Sequence, residues 1–588
     1  MRLGKALMFV APRSTGASVV AAGVTGSRLS FNVKALTIVA TAVGAFFAAR
    51  SAHLGYTLLR PDQFRDQLNA VDEYLRWRDG TYRFYDLWSF HNEHRLLTTR
   101  LLNLIDAAYF DLSNRFLIAS IYGGLLLITV ILTVLALKSR IPARIAIGTL
   151  ALLGIGWSVA QSENLTMGFQ TQFISVHLFA LGCFFSILKM LSAAGAWRRL
   201  AWLVLACAAD GLGMLSGANG VMIGVAAVAV CLMRQPPSRF VGAFAAFHAA
   251  AAAAYFIGVP DHPGAHGATI SQMGQYFLRC LGSIARPQPH NAPAILGLTM
   301  LSLGIFFSVR SWRKGGDRSQ LILLAVILFV IAETVAITVG RAGLGADQAL
   351  SSRYATQSGV LAMATIALCW RTAPAEVARC ATLIAAVAVT LLANGQQNAR
   401  EVEDSIALRD SAMFSFINGV YAPSQVEFIY PDVPTVERVY RRLAELRKGP
   451  FALSAALYRP PLNSVTFSDS AKFPACRSSV DSTSNRETWT EISRWLDAHG
   501  WVLAFTDAGR LVGYTTSTIR RPDIASALSL PQDRVGFKLF LNNHRIAGER
   551  LSLIAVTDTT ATPCVFTPPP AQAVAPTGLA GVVKVCTR

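Results

Sequence analysis

The sequence predicts an α-helical polytopic membrane protein of about eleven transmembrane helices, followed by a C-terminal α+β, β-sandwich-like domain outside the cytoplasm. Composition is the first reason. Hydrophobic residues are 53% of the 588 and charged residues only 15%, where a soluble chain carries about a quarter charged. Pattern is the second: the apolar residues come in blocks of span length, not in amphipathic periods. The third is the placement of charge. The 53 Lys and Arg exceed the 34 Asp and Glu to give +19, and much of that excess lies in short loops between apolar blocks, as the positive-inside rule expects.

Taken in order, residues 1–30 hold Arg and Lys but no acid, and read as a disordered basic cytoplasmic tail. The membrane domain covers 31–394. Its spans fall near 33–50, 116–137, 145–161, 168–188, 200–215, 219–233, 240–259, 292–309, 320–340, 354–370 and 380–394. Between the fifth and sixth, Gly213 to Gly220 is either a tight turn or a break in one long helix. Alternate loops are basic: Lys138, Arg140 and Arg144; Lys189, Arg198 and Arg199; Arg234 and Arg239; Arg310, Arg313, Lys314 and Arg318; Arg371 and Arg379. With the basic tail, this puts the N-terminus inside. An odd span count then puts the C-terminus outside, which for a bacterial inner membrane is the periplasm.

The first outer loop, 51–115, is long and polar, and its stretch 96–105 is amphipathic, as a helix lying in the membrane interface would be. Residues 395–588 form a soluble domain with 21 Lys and Arg against 18 Asp and Glu, so the basic excess belongs mainly to the membrane part. Its first section is helical: 435–447 follows Pro434 with a period near 3.6. Strands are expected at 501–506 and 511–516, flanking a turn from Asp507 to Arg510, and again at 536–541 and 551–556.

Several classes are excluded. No basic face with interleaved aromatics argues for nucleic acid. The nine cysteines include no paired CxxC, so neither a zinc ribbon nor a thioredoxin-like site is expected. Cys183, Cys207, Cys231, Cys369 and Cys380 read as small core residues; among Cys476, Cys564 and Cys586, a Cys564–Cys586 disulfide would suit an oxidising compartment. There is no phosphate-binding P-loop, strand-linked dinucleotide fingerprint or nucleophile elbow.

The polar residues that carry chemistry recur in the outer loops. Asp72 and Glu73 follow the first span, where a carboxylate can act as general base toward a hydroxyl; a solvated helix face beside Arg76 and Arg78 is the plainer reading. His91, Asn92, Glu93, His94 and Arg95 are denser. As a helix they would put His91, His94 and Arg95 on one face, able to bind phosphate, pass a proton or hold a metal. The spacing is not HExxH, and two imidazoles and one carboxylate fall short of a full ligand set, so no cofactor is assigned, a divalent metal being the one candidate. Further on come Gln161, Glu163, Asn164 and Gln170; Asp261, His262 and His266, in a flexible loop; and Arg341, Asp347, Gln348, Arg353 and Tyr354. Arginine suits phosphate through paired, charge-assisted hydrogen bonds; interfacial snorkelling is its alternative role. Charged groups near membrane depth default to functional positions.

This layout resembles the GT-C class of polyprenyl-phosphate-sugar-dependent glycosyltransferases, including the protein O-mannosyltransferases and lipid A aminoarabinose transferases. Asp72–Glu73 matches the acidic motif of that class's first loop, and 91–95 lies near the second, without its paired prolines. The chain also resembles a group of uncharacterised bacterial membrane proteins at 91–95, 161–170, 348–354 and Arg520 to Ala525. The resemblance implies transfer of a sugar from a lipid-linked donor to an envelope glycan, lipid or protein. Asp72, Glu73 or Glu93 would be the base. Arg341 and Arg353, with Arg95 or Arg100, would hold the donor phosphate, and His91, His94, Glu163, Asn164, Gln170 and Tyr354 would line the substrate site. Membrane lipids are the remaining partner. A transporter or flippase for an envelope lipid or polysaccharide, or a non-catalytic assembly protein, is the alternative; Asp210 and Glu333 are the deep ionisable residues that a transporter would use.

Overall fold

The computed structural model describes residues 31–452, except 235–237, 261–266, 287, 289–290, 374, 418 and 422, together with 478–485, 489–496, 500–506, 508–516, 519–530, 533–542, 551–557 and 564–565. The tail 1–30, the set Asp261, His262 and His266, Cys476, and the Cys586 half of the expected disulfide lie outside these.

All eleven apolar blocks are helical. After α1 (Phe31–Thr57) the long loop holds α2 (Gln67–Arg78), α3 (Phe84–Trp88), strands β1 (Phe90–His91) and β2 (His94–Arg95), and α4 (Leu97–Tyr109). The bundle continues with α5 (Arg115–Leu137), α6 (Pro142–Gly156), the short α7 (Ser162–Thr166), α8 (Thr171–Ser192), α9 (Ala196–Met214), α10 (Met222–Arg234) and α11 (Arg239–Phe256). Then come α12 (Ile270–Leu281), α13 (Ala292–Arg313), α14 (Arg318–Arg341), α15 (Ala355–Thr372) and α16 (Glu376–Ala393). Among the described residues, seven helices are long and apolar enough to cross a membrane, or eight if α6 and the bent turn after it count as one span. The expected fifth, sixth and tenth spans fall short, each for a physical reason. α9 carries Arg198, Arg199 and Asp210. α10 has 13 residues, about 20 Å at 1.5 Å per residue. α15 opens on Thr356, Gln357 and Ser358, all buried; it runs inside the bundle against α5, α13, α14 and α16, so neighbouring helices rather than lipid surround its polar groups.

The segment after α9 is a turn, not a continuous helix. Gly220 packs so closely on α9 that an added Cβ would lie 2.1 Å from the Gly213 carbonyl oxygen. Glycine is required there because backbone meets backbone.

The bundle has two chemically distinct ends. At one, Asp317 accepts from Lys138 at 3.3 Å and pairs with Arg371, and Trp312 donates to the Met233 carbonyl at 2.9 Å. Four of the basic loops therefore meet. α14 starts there, and its 24 residues, about 36 Å long, end at Arg341 in the loop cluster of the opposite end. α4, at that second end, is inside out. Its buried residues include Thr99, Arg100, Asn103 and Asp106, while Leu101, Ile105 and Tyr109 are exposed. An apolar outer face over a polar inner one suits a helix whose outside touches lipid.

After α16, α17 (Gln396–Ile417), α18 (Pro423–Ile429) and α19 (Val433–Leu446) form the helical section. In α19, Val436, Val439, Tyr440 and Leu443 recur at helical spacing and are all buried. They share one core with Leu68, Val71, Tyr74 and Leu75 of α2 and with Leu503 and Tyr514 of the strands. Each such side chain contributes about 1.5–3 kcal/mol on burial, so the first loop and the C-terminal section are held as one unit. The strands make two four-stranded sheets. One contains β5 (Gly500–Thr506), β6 (Leu511–Thr516), β9 (Leu551–Thr557) and β10 (Cys564–Val565), preceded in sequence by β3 (Ser478–Asn485) and β4 (Trp489–Leu496) of the other. That other sheet is completed by β7 (Ile519–Arg520) and β8 (Arg534–Asn542), with α20 (Pro522–Ala527) between them. β5 and β6 pair antiparallel, Trp501 opposite Thr516, as the hairpin pattern predicts. Gly513 lies under Leu539 and Leu541 of β8, where the two sheets meet.

Candidate functional site

Residues 91–95 are not a helix. Phe90 pairs with Arg95 and His91 with His94, leaving Asn92 and Glu93 as a two-residue turn. Asn92 has φ +52°, a conformation that asparagine tolerates better than most residues. The helical face expected for His91, His94 and Arg95 therefore does not form. In the two-stranded ladder, His91 and His94 are direct neighbours instead.

Arg95 pins this hairpin to the bundle. Its backbone N–H donates to the Tyr255 hydroxyl at 3.0 Å, and its guanidinium donates to the carbonyls of Tyr255 at 2.9 Å and Ile257 at 2.6 Å. Its charge lies over the Phe90 ring, 3.9 Å from the centroid. Arg100 is equally occupied, with Glu73 at 2.9 Å and the carbonyls of Leu87 and Ser89. Both arginines are buried; the structure gives them to the scaffold, not to an open phosphate site.

The acids separate in the same way. Asp72 pairs with Arg438 of α19 at 2.5 Å, joining the loop to the C-terminal section. Glu73 holds Arg100 and accepts from the Tyr82 hydroxyl at 3.4 Å. Burial raises the Glu73 carboxyl, against the pull of Arg100, His91 and Tyr82. Glu93 pairs with Arg341 and lies 3.4 Å from His94 Nε2. Burial would raise Glu93 too, but His94 and Arg341 outweigh it and hold the carboxyl at about 2. His94 goes down to about 4: burial drives the fall, opposed by Glu93 and aided by Arg341, His91 and Arg353. At neutral pH an ionised Glu93 thus faces a neutral imidazole. The Ala218 N–H donates to His94 Nδ1 at 3.2 Å, which assigns the His94 proton to Nε2, facing Glu93. The turn after α9 is what supplies that donor.

Asp66 is the acid that sequence reasoning missed. It sits at the start of α2, after Arg65 in a left-handed backbone conformation, φ +54°. Its carboxylate is 44% exposed and 3.8 Å from His91 Nε2. The His91 ring beside it holds the carboxyl below its ordinary range, with burial opposing and Arg353 and Arg65 assisting. His91 packs on Phe169, ring centroids 5.2 Å apart, and among the described residues its buried Nε2 makes no hydrogen bond. The available signal was position: Asp66 is the last acid before α2, in the first polar stretch after the first span.

Arg353 completes the group. Among the described residues no carboxylate pairs with it and its buried Nε has no hydrogen-bond partner; the guanidinium stands 5.7 Å from the Tyr354 ring centroid. Its charge reaches both Asp66 and His94. Asn164 fixes its backbone by donating to the Arg353 carbonyl at 2.9 Å, and also donates to Thr356 at 2.7 Å. Glu163 is joined to the same loop, its N–H donating to Ser352 at 3.2 Å. Gln170 is buried and accepts from Gln172 at 3.5 Å, and Tyr354 is buried with its hydroxyl accepting from Gln348 at 3.4 Å.

The outcome is a cluster of Asp66, His91, Glu93, His94, Arg341 and Arg353 at the end of the bundle opposite the basic loops, with Glu163 and Asn164 as its support and Asp72 turned away. Among the described residues no three His, Cys, Asp or Glu side chains are grouped to hold a metal ion. Such a cluster can bind an anion at Arg353 and take a proton at Asp66. Comparison of the chain with known protein families, with curated proteins and with solved structures returns no match.

Proposed function

We propose that this chain is a bacterial inner-membrane glycosyltransferase of GT-C type, moving a sugar from a polyprenyl-phosphate donor to an envelope glycan, lipid or protein on the periplasmic face. Eleven spans, counting α9, α10 and α15, put the basic loops in the cytoplasm and the cluster outside. The observation that carries the reading is Arg353, a cation with no carboxylate partner among the described residues, beside an ionised Asp66. Asp66, oriented by His91, takes the proton of the acceptor hydroxyl. The hydroxyl oxygen attacks the anomeric carbon, and the bond from that carbon to the donor phosphate oxygen breaks. Arg353 neutralises the charge that gathers on the departing lipid phosphate, and electrostatic stabilisation of this kind supplies most of the rate enhancement in such a step. Asp66 takes the role of base in preference to Asp72, Glu73 and Glu93, because each of those is held in a direct ion pair with an arginine.

The test compares envelope glycans by mass with and without the gene, then measures transfer from the lipid-linked sugar so identified. Asp66→Asn should lower kcat by about 10²–10⁴-fold, and Glu73→Gln and Glu93→Gln by less. Full activity of Asp66→Asn at normal protein level would remove Asp66 as the base. Labelling of Ala444→Cys, at an exposed position of α19, from the periplasmic side checks the topology.

Transport is a second reading, favoured by the ionisable pairs inside the bundle. His177 Nε2 meets Glu333 at 3.1 Å, Asn219 donates to Glu333 at 2.8 Å, and His248 meets Asp210 at 2.9 Å. Intramembrane acids of this kind mark ion and proton paths. A substrate-driven proton flux in proteoliposomes, lost in Glu333→Gln, would select transport over transfer.

A further inference from the structure

A second polar site lies away from the cluster, between the membrane bundle and the C-terminal section. It is a cleft of about 670 Å³ whose lining includes Arg50, Arg400, Glu403, Arg520, Ser526 and Asp533. That volume is within the range of small-molecule sites, about 300–1,000 Å³. One wall is a face of α17: Gln396, Ala399, Arg400 and Glu403 follow the helical repeat. The opposite wall is α20 with the residues at either side of it, which include the Arg520 to Ala525 run.

The charges in this cleft are not equally available. Arg520 is held by Asp404 at 3.0 Å, Asp533 at 2.7 Å and Glu403 at 3.2 Å, and Arg534 holds Asp404 at 2.6 Å and Glu403 at 3.4 Å. Three carboxylates share these two arginines in one network, which leaves it one negative charge. Arg50 and Arg400 stand outside it. Among the described residues neither has a carboxylate partner; Arg50 donates one hydrogen bond, 3.1 Å, to the Asn394 carbonyl, and Arg400 is exposed. Asn394 caps α16, so Arg50 of α1 lies level with the end of α16. Two guanidiniums from different elements, with donors left over, suit a phosphate, whose several oxygens can accept from both. Ser526 and Ser529, also in the lining, can meet hydroxyls next to it.

We propose that the cleft between α17 and α20 binds a phosphate-bearing polar ligand through Arg50 and Arg400, either the headgroup of an anionic lipid or a soluble phosphorylated molecule. This inference does not rest on the transferase reading, since binding is measured without turnover. The whole chain is purified into nanodiscs of phosphatidylcholine, with or without phosphatidylglycerol. Retained lipid is read by native mass spectrometry, and inorganic phosphate binding by calorimetry. Phosphatidylglycerol retained selectively, and reduced at least tenfold in Arg400→Gln and Arg50→Gln, identifies a headgroup site. Inorganic phosphate bound, and weakened at least tenfold in the same variants, identifies a soluble ligand. Neither probe bound, or binding unchanged in the variants, overturns the site. Should Arg50→Gln fail to fold, Arg400→Gln decides alone, because its side chain is exposed.

Discussion

Glu93 and Arg341, 248 residues apart in sequence, meet as an ion pair that ties the turn of the β1–β2 hairpin to the end of α14. The pair joins the first outer loop to the ninth apolar block, and both side chains are about three-quarters buried. Removing either partner leaves a largely buried charge, so Glu93→Gln and Arg341→Gln should each cost about 1–3 kcal/mol. The swap Glu93→Arg with Arg341→Glu should recover part of the loss. Thermal unfolding of the four proteins in one detergent measures the coupling; additive losses with no recovery would deny it.

Acid should weaken the same corner in two stages. The unfolded chain protonates its histidine near 6.5, but folded His94 resists until about 4. Between those values the unfolded state binds the extra proton, so stability falls as pH drops. Glu93, at about 2 when folded and 4.5 when unfolded, adds a second loss from about 4.5 downward by the same sign. His94→Gln should remove the upper stage, worth about 1–3 kcal/mol, and shrink the lower one, because the His94 charge is the largest influence holding the Glu93 carboxyl down. Denaturation midpoints from pH 7 to 2 provide the check.

Arg95 and Arg353 should respond oppositely to the same change. Arg95→Gln removes the donors that hold the Tyr255 and Ile257 carbonyls and should destabilise the protein by about 2–5 kcal/mol. Arg353→Gln removes no ion pair among the described residues. It should leave the melting temperature within a few degrees of wild type and raise the KM for a lipid-phosphate donor at least tenfold.

Gly220→Ala should be far worse than Gly123→Ala. The first places a Cβ 2.1 Å from the Gly213 oxygen and 2.8 Å from the Met214 nitrogen, whereas nothing lies within 4 Å of the second. Overpacking against backbone costs on the order of 1–3 kcal/mol, and here it also displaces the Ala218 N–H from His94. Equal melting temperatures for the two variants would contradict the close approach.

Much of the architecture is readable from single residues. All eleven apolar blocks are helices, the strands flanking 507–510 pair as expected, and Val436, Val439, Tyr440 and Leu443 bury as their spacing predicts. The hairpin at 90–95 was not readable: His91, Glu93 and His94 fit a helix as well as a turn, and Arg95 decides between them only through Tyr255 and Ile257, about 160 positions later.

Local chemistry in the chain therefore accounts for the membrane-spanning character, the basic and polar loops and most helix positions, because hydropathy and helical spacing act over about 20 neighbouring residues. Tertiary contacts decide the roles of the charges. An arginine becomes a scaffold pin at Arg95 and, at Arg353, a cation with no carboxylate partner among the described residues. An acid becomes a partner for arginine at Asp72 and an accessible carboxylate at Asp66. The physical reason is that each role depends on which group from a distant segment arrives within hydrogen-bonding distance, and the residue type alone does not contain that information.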